Sequence, residues 1–280
     1  APGSPVSCAV SGGADSLALL VLAVAAGCNV TAFHVDHGVR PGSAAEADLV
    51  RVAAERFGAG FRSEKIRVDP GPNLEARLRQ ARYAVLPPDV LTGHTADDAA
   101  ETVLLNLFRG SGSTGLAGMR SDRKPLLALR RSQTADLCRS LDLAPFDDPS
   151  NRSPEFRRNR IRHELLPLAT DIAQRDVVPI ITRGAALLRE DDDLLDSLAA
   201  SLDATDAMAL AKAPRPLAVR AIRQWLAPLL GGYPPDLDAV GRVLEVAAGT
   251  AVACEVGRGV TVRRSAQRLT VSTSPPSPTH

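Results

Sequence analysis

Ser11-Gly12-Gly13-Ala14-Asp15-Ser16 joins two apolar runs, residues 6–10 and 17–26. The first has the length of a β-strand, and the second spaces apolar residues all round a helix. A serine- and glycine-rich turn between strand and helix leaves several backbone N–H groups unpaired and aimed at one point. The positive end of the helix dipole reinforces them, so the turn is suited to hold an anionic phosphate. Gly12 and Gly13 let the backbone approach closely, and Ser11 and Ser16 add hydroxyl donors. A carboxylate beside a phosphate repels it, so Asp15 makes sense as a ligand for a bridging Mg²⁺. A simple helix cap, with Asp15 and Ser16 satisfying orphan donors, needs no pair of glycines before it. The stretch also lacks the lysine and the glycine spacing of a Walker A loop.

Working outward, residues 29–35 predict a strand that ends in His34-Val35-Asp36-His37-Gly38. A helix over 44–57, a strand over 61–68 and a helix over 73–86 follow. Residues 90–92 predict a short strand, 96–108 a helix, 126–129 a further strand and 134–141 a helix. Such alternation predicts an α/β fold: a parallel twisted sheet with helices on both faces, Rossmann-like in organisation. Ligands of such sheets sit beyond the carboxyl ends of the strands. Three motifs fall at those ends, after Val10, Val35 and Thr92.

Periodicity breaks near residues 146–154. Residues 161–202 are helix-rich, interrupted by Pro167 and Pro179, and their acidic run at 190–193 reads as a solvated helix face. Two helices (217–230 and 235–248), a hairpin (252–256 with 260–264) and a last strand (268–272) are expected beyond Pro214-Arg215-Pro216. The expected organisation is therefore a nucleotide-binding α/β domain over 1–148 and a helical linker over 149–214 that completes the active site. A small α+β helix–hairpin domain over 215–273 and a disordered Pro/Ser-rich tail over 274–280 complete it.

Composition limits the function classes. The 280 residues are 45% hydrophobic but only 3% aromatic, so the core must be built from Ala, Val and Leu. Lys plus Arg total 33 against 32 Asp plus Glu, so any nucleic-acid binding must come from local patches. Cys8, Cys28, Cys138 and Cys254 form no C-x-x-C pair, which argues against a zinc site, an iron–sulfur cluster or a secreted disulfide framework. No apolar run reaches a membrane span and no signal peptide is visible, so a cytoplasmic location with no membrane partner is expected.

His94, Asp98 and Glu101 are spaced four and three apart, so they share one helix face where the helix has formed. That face points back to the strand ends, where two carboxylates could hold Mg²⁺ or take a proton from an attacking amine. Alternatively, Asp97, Asp98 and Glu101 simply complement the helix dipole. Gly110, Gly112 and Gly115 spell G-x-G-x-x-G but follow a helix, so the dinucleotide reading fails its context. A flexible or substrate-approaching loop fits better there, with Arg109 near the acidic helix. The densest basic cluster, Arg157-Arg158-Asn159-Arg160-Ile161-Arg162-His163, suits phosphate contacts from ATP or RNA, or a helix surface paired with nearby acids.

The string S-G-G-x-D-S resembles the pyrophosphate-binding loop of the ATP pyrophosphatases (the PP-loop superfamily), which split ATP between its α and β phosphates. Four further blocks narrow the resemblance. They are His34-Val35-Asp36-His37-Gly38-Val39-Arg40-Pro41, Asn73-Leu74-Glu75-Ala76-Arg77 with Ala81-Arg82-Tyr83, residues 93–119, and residues 158–167. Together, over about residues 6–168, they resemble the tRNA(Ile)-lysidine synthetase family.

The resemblance implies ATP and Mg²⁺ as cofactors, with a CAU-anticodon tRNA-Ile and free L-lysine as substrates. The cytosine 2-carbonyl oxygen would be adenylated, and the lysine ε-amine would then displace AMP. It implies an ATP site made by Ser11, Gly12, Gly13, Ala14, Asp15 and Ser16 with His34, Val35, Asp36 and His37. Asp98, Glu101, His94 and Arg109 would be catalytic, and Asp15 and Asp98 would hold the metal. Arg77, Arg82, Arg158, Arg160 and Arg162 would contact RNA or phosphate, and residues 215–272 would bind tRNA. A homodimer is one expected assembly.

The chain departs from the family at Ala99, where Gln is usual. A segment before the first strand is expected to be missing, and the chain is expected to be a short form without a further C-terminal domain. A tRNA thiolase would need paired cysteines for a cluster, and amide-forming synthetases should lack the 34–41 and 158–167 blocks. Intact Asp15, Asp98 and Glu101 argue against an inactive nucleotide- or tRNA-binding module.

Overall fold

Strand β1 (Pro5–Ala9) pairs in parallel with β2 (Asn29–Asp36) on one side and with β4 (Leu91–Thr92) on the other. Strand β3 (Gly60–Lys65) extends the sheet beyond β2, giving the order β3-β2-β1-β4. The chain runs outward from β1 to β3 and then returns to the opposite side of β1. The crevice beyond the β1 and β4 ends is therefore the topological switch point, where such sheets bind ligands. The computed structural model describes residues 2–36, 43–68, 71 and 74–273. The expected tail at 274–280 and His37 lie outside the described residues.

Helices α1 (Ala14–Ala25), α2 (Ser43–Arg56) and α3 (Leu74–Val85) connect the first strands. Leu17, Leu19 and Leu20 of α1 share a core with Val30 and Ala32 of β2 and Val50, Ala53 and Ala54 of α2. This is a core of small aliphatic side chains, as the scarcity of aromatics requires. Helix α4 (Ala96–Phe108) leaves β4 and is followed by the short α5 (Ser113–Leu116).

Residues 126–129 do not form the expected strand. They make turns, in which Leu129 N–H donates to Leu126 O at 2.9 Å and Leu129 O accepts from Ala96 N–H at 2.8 Å. Leu126 is apolar because it fills the core and not because it pairs in a sheet. These turns deliver the chain to α6 (Arg131–Ser140). Helix α7 (Arg157–Arg160), a π-helical turn (Ile161–Leu165) and α8 (Leu166–Ala173) are continuous in sequence. Pro167 sits in the first turn of α8, where its missing N–H costs least. Helix α9 (Val178–Ala200) likewise admits Pro179 in its first turn.

The chain divides into two compact units, Ala1–Leu187 and Leu188–His280, with the division inside α9. The sequence-expected junctions lay instead near 148 and 214. The second unit contains α10 (Ala207–Lys212), α11 (Arg215–Leu226), α12 (Leu237–Ala248) and an antiparallel sheet of β5 (Ala253–Gly257), β6 (Val260–Ser265) and β7 (Arg268–Thr273). Ile222, Leu226, Val243, Val246, Val262 and Leu269 lie in its core. The acidic run at 190–193 is not wholly solvated. Asp192 is 4% exposed and accepts a hydrogen bond from Arg220, which also donates to Asp196 at 2.6 Å. A buried carboxylate needs such a partner. No helix among the described residues is long and apolar enough to cross a membrane.

Candidate active site

The phosphate-loop sequence folds as a turn from β1 into α1. Gly12 takes a positive φ of +90°, a conformation that a Cβ would strain. Its carbonyl accepts from Phe146 N–H at 2.9 Å, which ties the loop to the segment before α7. Gly13 caps α1 with extended backbone and contributes no side-chain cap. The first N–H groups of α1 therefore keep their capacity for an external anion. Ser16 Oγ accepts from Ser11 N–H at 3.1 Å and donates to Gly13 O at 2.8 Å, which fixes the turn. Asp15 does not cap the helix. Its Oδ1 accepts from Thr134 Oγ1, and its Oδ2 lies 3.5 Å from Arg131 Nε.

Strand β4 brings α4 against this loop at van der Waals range. A Cβ at Gly93 would lie 2.6 Å from the Asp15 carbonyl oxygen and 3.0 Å from Ser16 Cα, so only glycine allows this approach. Four residues later, Asp97 accepts from Arg130 Nη2 at 2.9 Å and from the Arg131 N–H at 2.8 Å. Asp97 thus anchors the start of α6, which sets Arg131 and Thr134 facing Asp15.

Arg131 joins the parts. Its Nη2 donates to Asp98 Oδ1 at 2.9 Å, its Nη1 donates to Glu101 Oε1 at 3.2 Å, and its Nε faces Asp15. Asp98 Oδ2 accepts from both the N–H and the hydroxyl of Thr95, at 2.9 and 3.0 Å. Glu101 has no solvent exposure. Besides Arg131, it accepts from Arg158 Nε at 2.9 Å and from Arg162 Nε at 2.7 Å. Three carboxylates and three guanidinia therefore interlock across the switch-point crevice.

The electrostatics separate the carboxylates. Burial pushes the Asp15 carboxyl above the ordinary range, and Thr134 and Arg131 only partly oppose it; the neighbouring Asp98 charge adds to the rise. Burial also acts on Asp98, but Arg131, the Thr95 N–H, Arg158 and His94 outweigh it and hold the carboxyl below the ordinary range. Arg131 is itself held above its usual value: burial opposes its charge, and Asp98, Glu101, Asp15 and Asp97 overcome that.

These groups border a cavity of about 800 Å³, within the range of nucleotide-sized pockets. Ser11, Gly13, Ala14, Asp15 and Ser16 line it, as do His34, Val35, His94, Asp98, Arg82 and Arg162. His34 is 2% exposed; its Nδ1 lies 3.0 Å from Val10 O, and its Nε2 has no hydrogen-bond partner among the described residues. Glu101 and Arg158 stand behind the wall and act through their partners.

Other expected residues lie elsewhere. Arg109 follows the last residue of α4 and is exposed, about 16 Å along the helix from Asp98 at 1.5 Å per residue, so it does not join the catalytic group. Arg160 is exposed and pairs with Glu164 at 2.8 Å. Asp36 lies 3.7 Å from Lys65 Nζ at the β2–β3 edge and is not among the cavity-lining residues. Arg77 packs near Gly71 and is not among the cavity-lining residues. Arg131 and Thr134 were absent from the sequence-derived set. Their only signal was Asp15 itself, a buried carboxylate in need of donors.

Asp15 and Asp98 suit a Mg²⁺ ion bound jointly with nucleotide phosphates. They face one cavity, their charges repel, and Asp15 remains under-compensated. No cluster of three or more metal-ligating side chains occurs among the described residues.

Comparison with known proteins adds four findings. A family model described as a PP-loop domain matches residues 2–169. The tRNA(Ile)-lysidine synthase of Nocardia farcinica is 46% identical over 240 residues, covering 79% of this chain and 75% of that one. That of Rhodococcus erythropolis is 43% identical over 251 residues, covering 82% and 76%. Among solved structures, a U34-tRNA thiolase from Methanococcus maripaludis aligns with a TM-score of 0.55 at 18% identity, covering 68% of this chain and 74% of that one; it shares the fold.

Proposed function

Since the chain belongs to the tRNA(Ile)-lysidine synthase family of ATP-using PP-loop ligases, we propose how its own residues ligate lysine to the wobble cytidine of a CAU-anticodon tRNA-Ile. The observation that carries this reading is Arg131, which bonds Asp98 and Glu101 and faces Asp15 at the edge of one cavity.

ATP lies with its β and γ phosphates on the Ser11–Ser16 turn, where the α1 N-terminus and both hydroxyls meet negative charge. Asp15, assisted by Asp98, would hold Mg²⁺, which would supply neutralisation of phosphate charge. The cytosine O2 attacks the α phosphorus, and the bond to the β-phosphate oxygen breaks. Pyrophosphate leaves on the turn. Arg131 and Arg162 stabilise the charge that develops there.

The ε-amine of free lysine then attacks C2, and the C2–O bond breaks to release AMP. Ionised Asp98 attracts the incoming ammonium. Its lowered pKa makes it a weak base, so we assign the proton to His94, whose Nδ1 lies 2.8 Å from Thr92 Oγ1 at the cavity edge. Glu101 has both oxygens engaged by guanidinia and acts as the anchor of Arg131, Arg158 and Arg162. A cytoplasmic location supports this reading, since ATP, lysine and tRNA meet there.

Incubation with ATP, lysine and CAU-anticodon tRNA-Ile, followed by mass analysis of the wobble nucleoside, tests this. Addition of lysine to cytidine with loss of water, dependent on ATP, is expected. Unmodified cytidine after pyrophosphate release would refute the lysine step.

A further inference from the structure

On the outer side of the same helices lies a second cavity of about 520 Å³. Leu105 and Phe108 of α4 line it, with Ile161 and Leu165 of the π turn and Leu168 of α8. Phe108 is 65% exposed and Leu168 is 55% exposed, so an aromatic face and an aliphatic one stand open to solvent. The rim carries Arg109, Arg157 and Arg160. Arg160 is paired with Glu164, the sole acid among the described lining residues. Among the described residues, Arg109 and Arg157 have no carboxylate partner. The chain as a whole is near neutral, so this is a local excess of positive charge.

We infer that this groove takes one unpaired nucleotide from the same tRNA loop as the base being modified, its ring stacked on Phe108 and its phosphates met by Arg109 and Arg157. The inference rests on the function proposed above. An apolar slot bordered by two open guanidinia complements a base attached to its phosphates, since every base offers a π-face and every phosphate a charge. A purely apolar protein partner leaves those guanidinia unmatched.

Position agrees with this assignment. Asp98, which lines the catalytic cavity, and Phe108 sit on one helix, ten residues apart, so about 15 Å separates the two sites along its axis. Helix α7 divides in the same way: Arg158 turns to Glu101, while Arg157 turns to the groove. One pair of helices thus offers engaged arginines inward and open arginines outward.

The test compares Phe108→Ala, Phe108→Trp and Arg157→Glu in the full chain. It measures affinity for the CAU-anticodon tRNA-Ile, KM for ATP, salt dependence of tRNA binding and sedimentation. Phe108→Ala is expected to weaken tRNA binding about 5- to 160-fold, the range for loss of one base stack, without changing KM for ATP. Phe108→Trp should restore binding. Arg157→Glu should weaken binding and lower the slope of log affinity against log salt by about one or two. Unchanged tRNA affinity in Phe108→Ala, with the wild type making lysidine, overturns the groove assignment alone. So does a change in sedimentation without a change in tRNA affinity, which marks the groove as a contact between copies. A wild type that binds the tRNA but makes no lysidine overturns the catalytic reading instead and leaves the stacking result interpretable.

Discussion

At the scale of single residues, the acidic side chains do different work although the sequence presents them as one group. Glu101 is fully buried among three guanidinia, so removing its charge leaves three cations without their shared partner. Breaking a buried pair in this way costs about 3 kcal/mol. Glu101→Gln should therefore lower the denaturant midpoint as well as abolish lysidine formation; an unchanged midpoint would mean that the cage is not structural. Asp15 behaves oppositely. Its pKa is raised in the fold, so folding favours the protonated form and the ionised form present at neutral pH costs stability. Asp15→Asn should keep or raise Tm in the absence of nucleotide while losing Mg²⁺-dependent pyrophosphate release. A Tm several degrees lower would contradict this account of Asp15.

At the scale of elements, β4 and α4 carry the phosphate turn and the acidic helix into contact, and Gly93 is the point of contact. Gly93→Ala places a methyl against the Asp15 backbone, which no rotamer can relieve. A displacement of about 1 Å at a catalytic centre costs roughly 100-fold, and that loss is expected in kcat/KM for ATP, read from pyrophosphate release. The α4–α6 junction has its own signature. Asp97 and Asp98 titrate lower in the fold than in the unfolded chain, where Asp lies near ~3.9. Their stabilisation is complete above that value and fades as pH falls below it. Acid titration followed by circular dichroism should lose helix below about pH 4, and Asp97→Asn should flatten the profile.

Element boundaries also reveal what sequence alone can carry. Residues 11–16 and the 96–108 helix were readable because strand, turn and cap are local patterns. The turns at 126–129 imitate a strand because Leu126 is apolar for the sake of the core. Arg131 and Thr134 were missed because their meaning depends on Asp15, more than a hundred residues earlier, and no local pattern records that meeting. Asp192 was misread for the same reason, since Arg220 reaches it from another helix. Arg109 was placed near the acids by sequence proximity, whereas the length of α4 carries it away.

At the scale of the whole molecule, the two compact units can be observed separately. The single tryptophan, Trp225, lies in the second unit, and the cavity lined by the Ser11–Ser16 turn lies in the first. A ligand stabilises the unit that binds it in proportion to the logarithm of its concentration over Kd. Saturating ATP should therefore raise the transition of the first unit, seen by circular dichroism, with Trp225 fluorescence as the record of the second. An ATP-independent circular dichroism transition would argue against nucleotide binding in the first unit.

The central claim is that the glycine turn and the acidic helix act as one site, and a double-mutant cycle on Asp15→Asn and Asp98→Asn, read in kcat for pyrophosphate release, tests it most directly. Groups that work as a unit are strongly non-additive. The double variant should be scarcely slower than the slower single variant. Losses that multiply would show that the two carboxylates act independently.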